Sequence, residues 1–209
     1  MSILKILLEA IEEDYLYHYT NAGGVMGILD SNVLFSKGSW SVSALGVSRD
    51  EKWSEGVSFT RDKNLIVDLP HYTSKGSYVL FGIVFNRKKL KSNYKLHPFD
   101  VYGYSMKELP RDQRHDDQKK LQEEIILDQI DNVKRYIEHV YLNMLYVERN
   151  NIDTNRVLEE LIRVVDACKQ DNVSVKYGYG HQTKELDMDY PKDEKYSDIK
   201  YFFYKQLFE

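Results

Sequence analysis

Residues 77–85 read SYVLFGIVF, and this apolar run is the feature of the chain that most constrains its fold. Apart from Ser77 and Gly82, every residue in it is aromatic or aliphatic. So short a run, rich in β-branched and aromatic residues, is typical of a strand that is buried on both faces. We therefore predict a central strand. One face would carry Val79, Phe81 and Ile83, and the other would carry Leu80 and Val84.

Shorter patterns on either side of this run predict further elements. Alternating or apolar stretches predict strands at 15–19, 33–35, 56–60, 94–96, 124–127, 140–142 and 173–177. Helical spacing of apolar residues predicts helices at 3–12, after a cap at Thr20-Asn21, at 133–137 (one turn), at 155–169 and at 196–208. Because strands outnumber helices and do not alternate regularly with them, we predict an α+β fold rather than a doubly wound sheet.

The chain has 209 residues, enough for one large domain, and we predict a single domain over residues 1–209. Its first element would be a helix within residues 1–13. A stretch rich in Ser and Gly at 37–55 predicts a long surface loop, and long loops in compact domains are often functional. The polar stretch 178–195 predicts a mobile loop.

Charge and cysteine content limit the classes of function. The net charge is −4 with a pI near 5.9, which argues against a general electrostatic grip on nucleic acid. The basic run at 87–91 is interpreted as a solvated turn. Cys168 is the single cysteine, and its spacing from Leu161, Val164 and Val165 predicts a buried, inert thiol in a reducing compartment. With no apolar span long enough to cross a membrane and no signal-peptide pattern, we expect a cytoplasmic protein.

Three segments carry the residue types that chemistry needs. The first is Tyr17-His18-Tyr19-Thr20, followed by a helix through Ile28-Leu29. The second is Gly56-Val57-Ser58-Phe59-Thr60-Arg61-Asp62, and the third is Gln122-Glu123-Glu124-Ile125-Ile126-Leu127. Each is short and weak by itself, whereas their order and spacing together are more specific.

Read together, these segments resemble the ADP-ribosyltransferase superfamily. The His-x-Thr strand with its following helix looks like the opening of the branch that contains the DarT DNA-modifying toxins and, more distantly, the RNA 2′-phosphotransferases. Ser58 to Asp62 is similar to the second block of such proteins, and Glu124 before an apolar run is similar to their catalytic-glutamate strand. The pattern, which spans 15–177, also resembles an uncharacterised phage protein family. The resemblance implies two small, mostly antiparallel sheets that form a cleft for NAD, which would be a substrate, without a metal.

A glutamate would supply the catalytic group in such a reaction. Breaking the bond between nicotinamide and ribose gives a transition state that is positive at the ribose, and a neighbouring carboxylate stabilises that charge. Glu124 is the first choice and Glu123 the alternate, because successive residues of a strand point to opposite faces. A solvated start of a strand remains the competing interpretation of this pair.

The resemblance assigns the remaining site residues to NAD binding. His18 would hydrogen-bond a ribose or the nicotinamide amide, with a structural histidine as the alternative. Arg61 would pair with the pyrophosphate through its planar guanidinium, with a turn arginine as the alternative. Ser58 and Thr60 would position Glu124 or the nicotinamide ribose. Tyr19 or Tyr78 would stack on nicotinamide, and Thr20 would line the pocket or only cap its helix.

The acceptor is the least constrained part of this prediction. An acidic chain without an evident basic channel favours a protein acceptor, such as a host protein during phage infection, with DNA or RNA not excluded. The alternative is a binding module that keeps the fold, has lost catalysis, and sequesters a nucleotide or blocks a host protein. Scattered histidines and a single cysteine do not predict a zinc site, and Gly178-Tyr179-Gly180 lacks the strand–turn–helix context of a dinucleotide loop.

Overall fold

A computed structural model gives the arrangement of most of the predicted elements. It describes residues 14–35, 56–61, 63, 78–98, 123–126, 128–179, 182–190 and 194–209, with the backbone alone at 97–98 and 123–125. The predicted helix at 1–13 and loop at 37–55 lie outside these residues.

The chain forms two compact units. Unit 1 comprises Met1–His18, Asn32–Leu65 and Val84–Tyr136, and unit 2 comprises Tyr19–Ser31, Ile66–Ile83 and Ile137–Glu209. Two strands, β1 (Tyr15–Thr20) and β4 (Phe81–Asn86), contribute residues to both units.

Unit 1 is built from short antiparallel strands. It contains β2 (Val33–Leu34), β3 (Val57–Thr60), β5 (His97–Pro98), β6 (Glu123–Ile126) and β7 (Ile130–Asp131). β3 pairs with β1 on one side and with β6 on the other, and β6 also pairs with β5. β2 and β7 form a separate two-stranded sheet. The described pairs of unit 1 are thus antiparallel, as predicted for most of the fold.

Two asparagines set the turns that bring β2 and β7 together. Asn32 and Asn132 both have positive φ angles, 54° and 50°, a backbone region that asparagine tolerates better than most residues. The Asn32 carbonyl accepts from the Val133 amide (3.1 Å), and its side-chain oxygen accepts from the Lys134 amide (3.0 Å). These bonds fix the start of a 3₁₀ helix at Val133–Tyr136, where a helical turn was predicted.

Unit 2 contains the longer helices. They are α1 (Ala22–Ser31), α3 (Met144–Arg149), α4 (Thr154–Gln170) and α5 (Tyr196–Phe208), while α2 (Arg87–Lys91) belongs to unit 1. Its strands are β8 (Ile137–Asn143), β9 (Val175–Tyr179) and β10 (Gln182–Glu185). β8 and β9 are parallel, which requires a long crossover that α3 and α4 supply, and β9 and β10 are antiparallel.

Helix α4 organises the core of unit 2. Asp153 caps it by accepting a hydrogen bond from the Arg156 amide at 3.0 Å. Its apolar face packs against α1 and α5. The residues of that face are buried, as predicted: Val157, Leu158, Leu161, Val164, Val165 and Cys168.

The predicted central strand is confirmed in burial and shifted in position. β4 has a strand on each side, β1 and β8. Leu80, Phe81, Ile83, Val84 and Phe85 are completely buried, which confirms that both faces are covered. The strand begins at Phe81, so residues 78–80 lead into it, and Val79 is only half-buried. The apolar character of residues 77–85 did not indicate at which of them pairing with the neighbouring strands begins.

Several predicted boundaries were wrong. The basic run Arg87–Lys91 is a short helix rather than a turn, because Asn86 caps its first turn by accepting from the Lys89 amide (2.9 Å) and Leu90 is buried. The strand predicted at 94–96 lies at His97–Pro98.

Two boundaries near the end of the chain also differ. The strand predicted at 173–177 is Val175–Tyr179, and the segment predicted as a loop at 178–195 contains the paired strand β10 and the buried Leu186. The bounds of these strands are set by cross-strand hydrogen bonds. The sequence of a polar segment alone does not indicate which of its residues will form such bonds.

The protein therefore has a mixed fold of helices and strands. Among the described residues, no helix is both long and apolar enough to span a membrane.

Candidate functional site

The site begins with His18, which β1 presents beside β3. The Nδ1 atom of His18 lies 3.0 Å from the main-chain oxygen of Ser58. Since a carbonyl oxygen only accepts, Nδ1 must carry the proton and donate it. In the neutral ring the second nitrogen, Nε2, is then a hydrogen-bond acceptor.

Burial keeps this imidazole neutral. The pKa of His18 is lowered below its ordinary value of 6.5 because burial penalises the charged ring, and this outweighs the opposing effect of the Ser58 hydrogen bond. The ring also meets the edge of Phe59, with ring centres 5.9 Å apart, and Phe59 in turn contacts Phe85 at 5.4 Å. A neutral, positioned ring suits an acceptor role better than that of a cation.

The strand register divides the predicted residues into two rows. Tyr17 pairs with Thr60, and Thr60 pairs with Glu123, so these three positions form one row across β1, β3 and β6. One residue along, Phe59 pairs with Glu124. The same register sets His18 opposite Phe59, which the contact between their rings supports. Positions 18, 59 and 124 therefore form the second row.

Residues in one row of an antiparallel sheet share a face, and successive residues alternate between faces. Position 124 thus shares a face with His18, two strand spacings or roughly 10 Å away. Position 123 shares the opposite face with Tyr17 and Thr60, which are almost completely buried. His18 is half-buried, but Phe59 in the same row is almost as buried as Thr60, so burial does not distinguish the two rows on β3.

The register does not bring Ser58 and Thr60 to the face of position 124. Both alternate with Phe59, and Thr60 is opposite position 123 instead. Ser58 still contributes to the site through its main-chain oxygen. The residue types at 58 and 60 predicted a role for their hydroxyl groups, whereas a main-chain oxygen is present at every position and gives no signal in the sequence.

The other predicted NAD-binding residues adjoin these strands. Arg61 directly follows β3 and is half-buried. Tyr19, in unit 2, packs against Gly82, where a Cβ atom would lie 3.1 Å from the tyrosine ring. The glycine therefore allows β4 to pass close to that ring.

Thr20 and Asn21 have different roles at the start of α1. Asn21 is the cap, since its side-chain oxygen accepts from the Gly24 amide at 2.8 Å. Thr20 lies against Gly24, where an added Cβ would come within 1.9 Å of the threonine hydroxyl oxygen. The cap predicted at Thr20-Asn21 is thus supplied by Asn21, and the Thr20 side chain packs beside it.

Other chemistries find less support in the described residues. Cys168 is fully buried, and burial, with a smaller effect of Asp171, raises the pKa of its thiol to about 12. Such a thiol is not a nucleophile at neutral pH, as predicted. Within the part of the chain that the structure describes, no group of three His, Cys, Asp or Glu residues could hold a metal ion.

Comparison with known proteins gives one distant likeness in fold. No protein-family model matches the chain, and no curated protein sequence matches it. Among solved structures, it is similar to Thermus sp. 2.9 DarT in complex with NAD+, with a TM-score of 0.48 and 11% identity over 79% of this chain and 95% of that chain. Thermus sp. 2.9 DarT in complex with ADP-ribosylated ssDNA gives a TM-score of 0.47 and 11% identity, covering 76% of this chain and 90% of that chain. A likeness at this level assigns neither a ligand nor an activity to this chain.

Proposed function

We propose that this protein transfers ADP-ribose from NAD to a macromolecular acceptor. The observation that carries the proposal is the row formed by positions 18, 59 and 124. It combines a neutral histidine, whose tautomer is fixed by the Ser58 carbonyl, with a glutamate position on the same face. The order of the His18, Ser58–Arg61 and Glu124 segments, which resembles that of ADP-ribosyltransferases, supports it.

Glu124 is the proposed catalytic residue. NAD supplies a ribose whose bond to the positively charged nicotinamide breaks with its electron pair leaving on nicotinamide. The carboxylate stabilises the positive charge that develops at the ribose carbon. It also takes the proton from the acceptor group as that group bonds to the same carbon. Because this charge exists mainly in the transition state, the carboxylate contributes to rate more than to NAD affinity.

His18 is proposed to bind NAD in its ground state. Its Nε2 atom would accept a hydrogen bond from a ribose hydroxyl or from the nicotinamide amide. Arg61 would pair with the pyrophosphate, since its planar guanidinium matches two phosphate oxygens at once. Thr20 stays a proposed NAD-binding residue. Tyr19 alternates with His18 on β1 and so lies on the other face of the strand, and we no longer assign it to stacking on nicotinamide. Ser58 acts through its carbonyl, and we no longer assign the Ser58 and Thr60 hydroxyls to positioning Glu124.

Finer features belong to the same proposal. NAD would lie against the face of β1, β3 and β6 that carries positions 18, 59 and 124, rather than in a cleft between two sheets, because β3 pairs with both β1 and β6. The protein would be a single domain and would work in the cytoplasm of a phage-infected cell. The acidic net charge favours a protein as the acceptor, with DNA or RNA as the alternatives. A module that binds NAD without turning it over is the alternative.

The test uses two adjacent glutamates as target and matched control. Wild type, Glu124→Gln and Glu123→Gln would be incubated with NAD labelled on the adenylate, in the presence of host lysate. Released nicotinamide and label on macromolecules would be measured, and NAD binding would be followed by calorimetry. We expect Glu124→Gln to lose on the order of 10²-fold or more in rate while it still binds NAD, and Glu123→Gln to stay close to wild type.

Each other outcome contradicts a defined part of the proposal. Loss of activity in Glu123→Gln alone would move the catalytic group to the opposite face. NAD binding without nicotinamide release would favour the binding module. No NAD binding even at millimolar concentration would overturn the proposal altogether.

A further inference from the structure

Phe59 occupies the middle of the row that carries the two proposed functional positions, and it has no role yet. It pairs with position 124 on β6, and its ring contacts that of His18 on β1. Ser58 and Thr60, on either side of it, were predicted from their hydroxyl groups, whereas the phenylalanine ring carries no polar atom. Phe59 is only 3% exposed, so it cannot offer its own ring face to a ligand. Any contribution to the site must therefore pass through a neighbouring side chain.

The neighbour in question is the imidazole of His18. The centres of the two rings are 5.9 Å apart and their planes are inclined at 62°, which is an edge-to-face arrangement. Aromatic rings prefer this geometry to a parallel stack because the positive edge of one ring meets the negative face of the other. The contact therefore favours one inclination of the imidazole over others.

Phe59 is itself held in place by a second ring. Its ring meets that of Phe85 at 5.4 Å and 81°, and Phe85 is completely buried in β4. Leu16, which shares the His18 face of β1, is also completely buried. All of these residues belong to unit 1. Since the Phe59 ring packs against a buried neighbour, it cannot readily move aside when a ligand contacts His18.

A hydrogen bond and a ring contact constrain different parts of the imidazole. The hydrogen bond to the Ser58 carbonyl fixes the position of Nδ1 but leaves the ring plane free to tilt about that bond. The contact with Phe59 limits the tilt. The lone pair of a neutral imidazole nitrogen lies in the plane of the ring. The same contact therefore sets the direction in which Nε2 accepts a hydrogen bond.

We propose that Phe59 is a positioning residue for NAD binding. It does not touch NAD, and it acts by holding the His18 ring at the inclination that directs Nε2 towards its hydrogen-bond donor on NAD. This role rests on the proposed function, since it requires that His18 binds NAD in the ground state. Phe59 should therefore affect the Kd and KM for NAD, whereas kcat, which depends on Glu124, should change little.

The test is a double-mutant cycle between Phe59 and His18. Phe59→Leu keeps an apolar side chain but removes the flat ring edge, and His18→Ala removes the imidazole. NAD binding would be measured by calorimetry in wild type, in both single variants and in the double variant. With His18 present, Phe59→Leu should raise the Kd by roughly three- to tenfold, the range that an aromatic contact contributes. In the His18→Ala background the same substitution should leave the Kd nearly unchanged.

Two further variants separate positioning from a general loss of stability. Phe203→Leu makes the same change at a completely buried phenylalanine of unit 2, whose ring contacts Tyr190 and Phe202. We expect it to lower Tm, as Phe59→Leu does, without changing NAD affinity. Phe85→Leu removes the ring that supports Phe59, so it should raise the Kd by less than Phe59→Leu, and only when His18 is present. This variant keeps the test decisive if Phe59→Leu does not fold.

The outcomes distinguish a wrong role for Phe59 from a wrong function. If Phe59→Leu and Phe85→Leu bind NAD as wild type does, or weaken binding equally in the His18→Ala background, the positioning role is wrong and NAD binding stands. An equal rise in Kd in Phe203→Leu would also overturn the role, because stability alone would then explain the loss. If wild type binds no NAD at millimolar concentration, the proposed function fails and the role of Phe59 fails with it.

Discussion

Two substitutions of His18 distinguish the roles of its two ring nitrogens, Nδ1 and Nε2. In His18→Asn the side-chain amide nitrogen falls near the position of Nδ1 and keeps a donor for the Ser58 carbonyl, but nothing replaces Nε2. In His18→Gln the side-chain oxygen falls near Nε2 and keeps an acceptor, whereas the donor to Ser58 is lost. Both variants lose the ring that contacts Phe59, so that change cancels when the two are compared with each other.

The hydrogen bonds set the size of each effect. The bond to Ser58 is 3.0 Å long, and a bond of this kind contributes about 0.5–1.5 kcal/mol to the free energy of unfolding. We therefore expect His18→Gln to be less stable than His18→Asn by about 1 kcal/mol, or roughly 2–4 °C in Tm for a chain of this size. Loss of the Nε2 acceptor should raise the Kd for NAD in His18→Asn by about tenfold relative to His18→Gln, which corresponds to about 1.4 kcal/mol.

Calorimetric titration with NAD and thermal melts of the two proteins measure both quantities. The two quantities should rank the variants in opposite orders, with His18→Asn the more stable protein and His18→Gln the tighter NAD binder. If one variant were both more stable and the tighter NAD binder, the assignment of separate roles to Nδ1 and Nε2 would be refuted.

Further predictions concern stability and reactivity. Phe81→Ala should cost about 3–5 kcal/mol of unfolding free energy in denaturant titrations, because Phe81 is completely buried in β4, while Tyr201→Ala, at a site 57% exposed, should cost little. Cys168 should react slowly with a thiol reagent in the native protein and fast once it is denatured, since its pKa is raised to about 12; fast native labelling would contradict its burial. Gly24→Ala should destabilise the wild type through the clash with Thr20 and should do so much less in a Thr20→Ala background, as a double-mutant cycle would show. The folded pKa of His18 lies below its ordinary 6.5, so its neutral ring favours folding above pH 6.5. That contribution should be lost as the pH falls from 6.5 through the folded pKa, and a chemical-denaturation series against pH should show less of this loss in His18→Gln.

Local patterns in the sequence determined which stretches of this chain form its main elements. The apolar run at 78–85, the aromatic strand with His18, and the periodic face of Val157, Leu161 and Val164 were each sufficient to predict a strand or a helix, and the first and last of them predicted burial as well. They succeed because burial acts on residues that are close in sequence and repeat at the period of the element. The candidate residues His18 and Glu124 likewise came from the order of short segments along the chain.

Tertiary structure alone decided how those elements pair. Whether Glu123 or Glu124 shares a face with His18 depends on the register of β1, β3 and β6, and a shift by one residue would exchange their faces. The hydrogen bond from His18 to the Ser58 carbonyl uses a main-chain atom that every residue carries. The identity of residue 58 therefore could not predict this bond. The contact between the rings of Tyr94 and Tyr136 likewise joins two segments that are distant in the sequence. Such pairings are set by hydrogen bonds and ring contacts between distant segments. The local sequence of one segment does not indicate which other segment it will pair with.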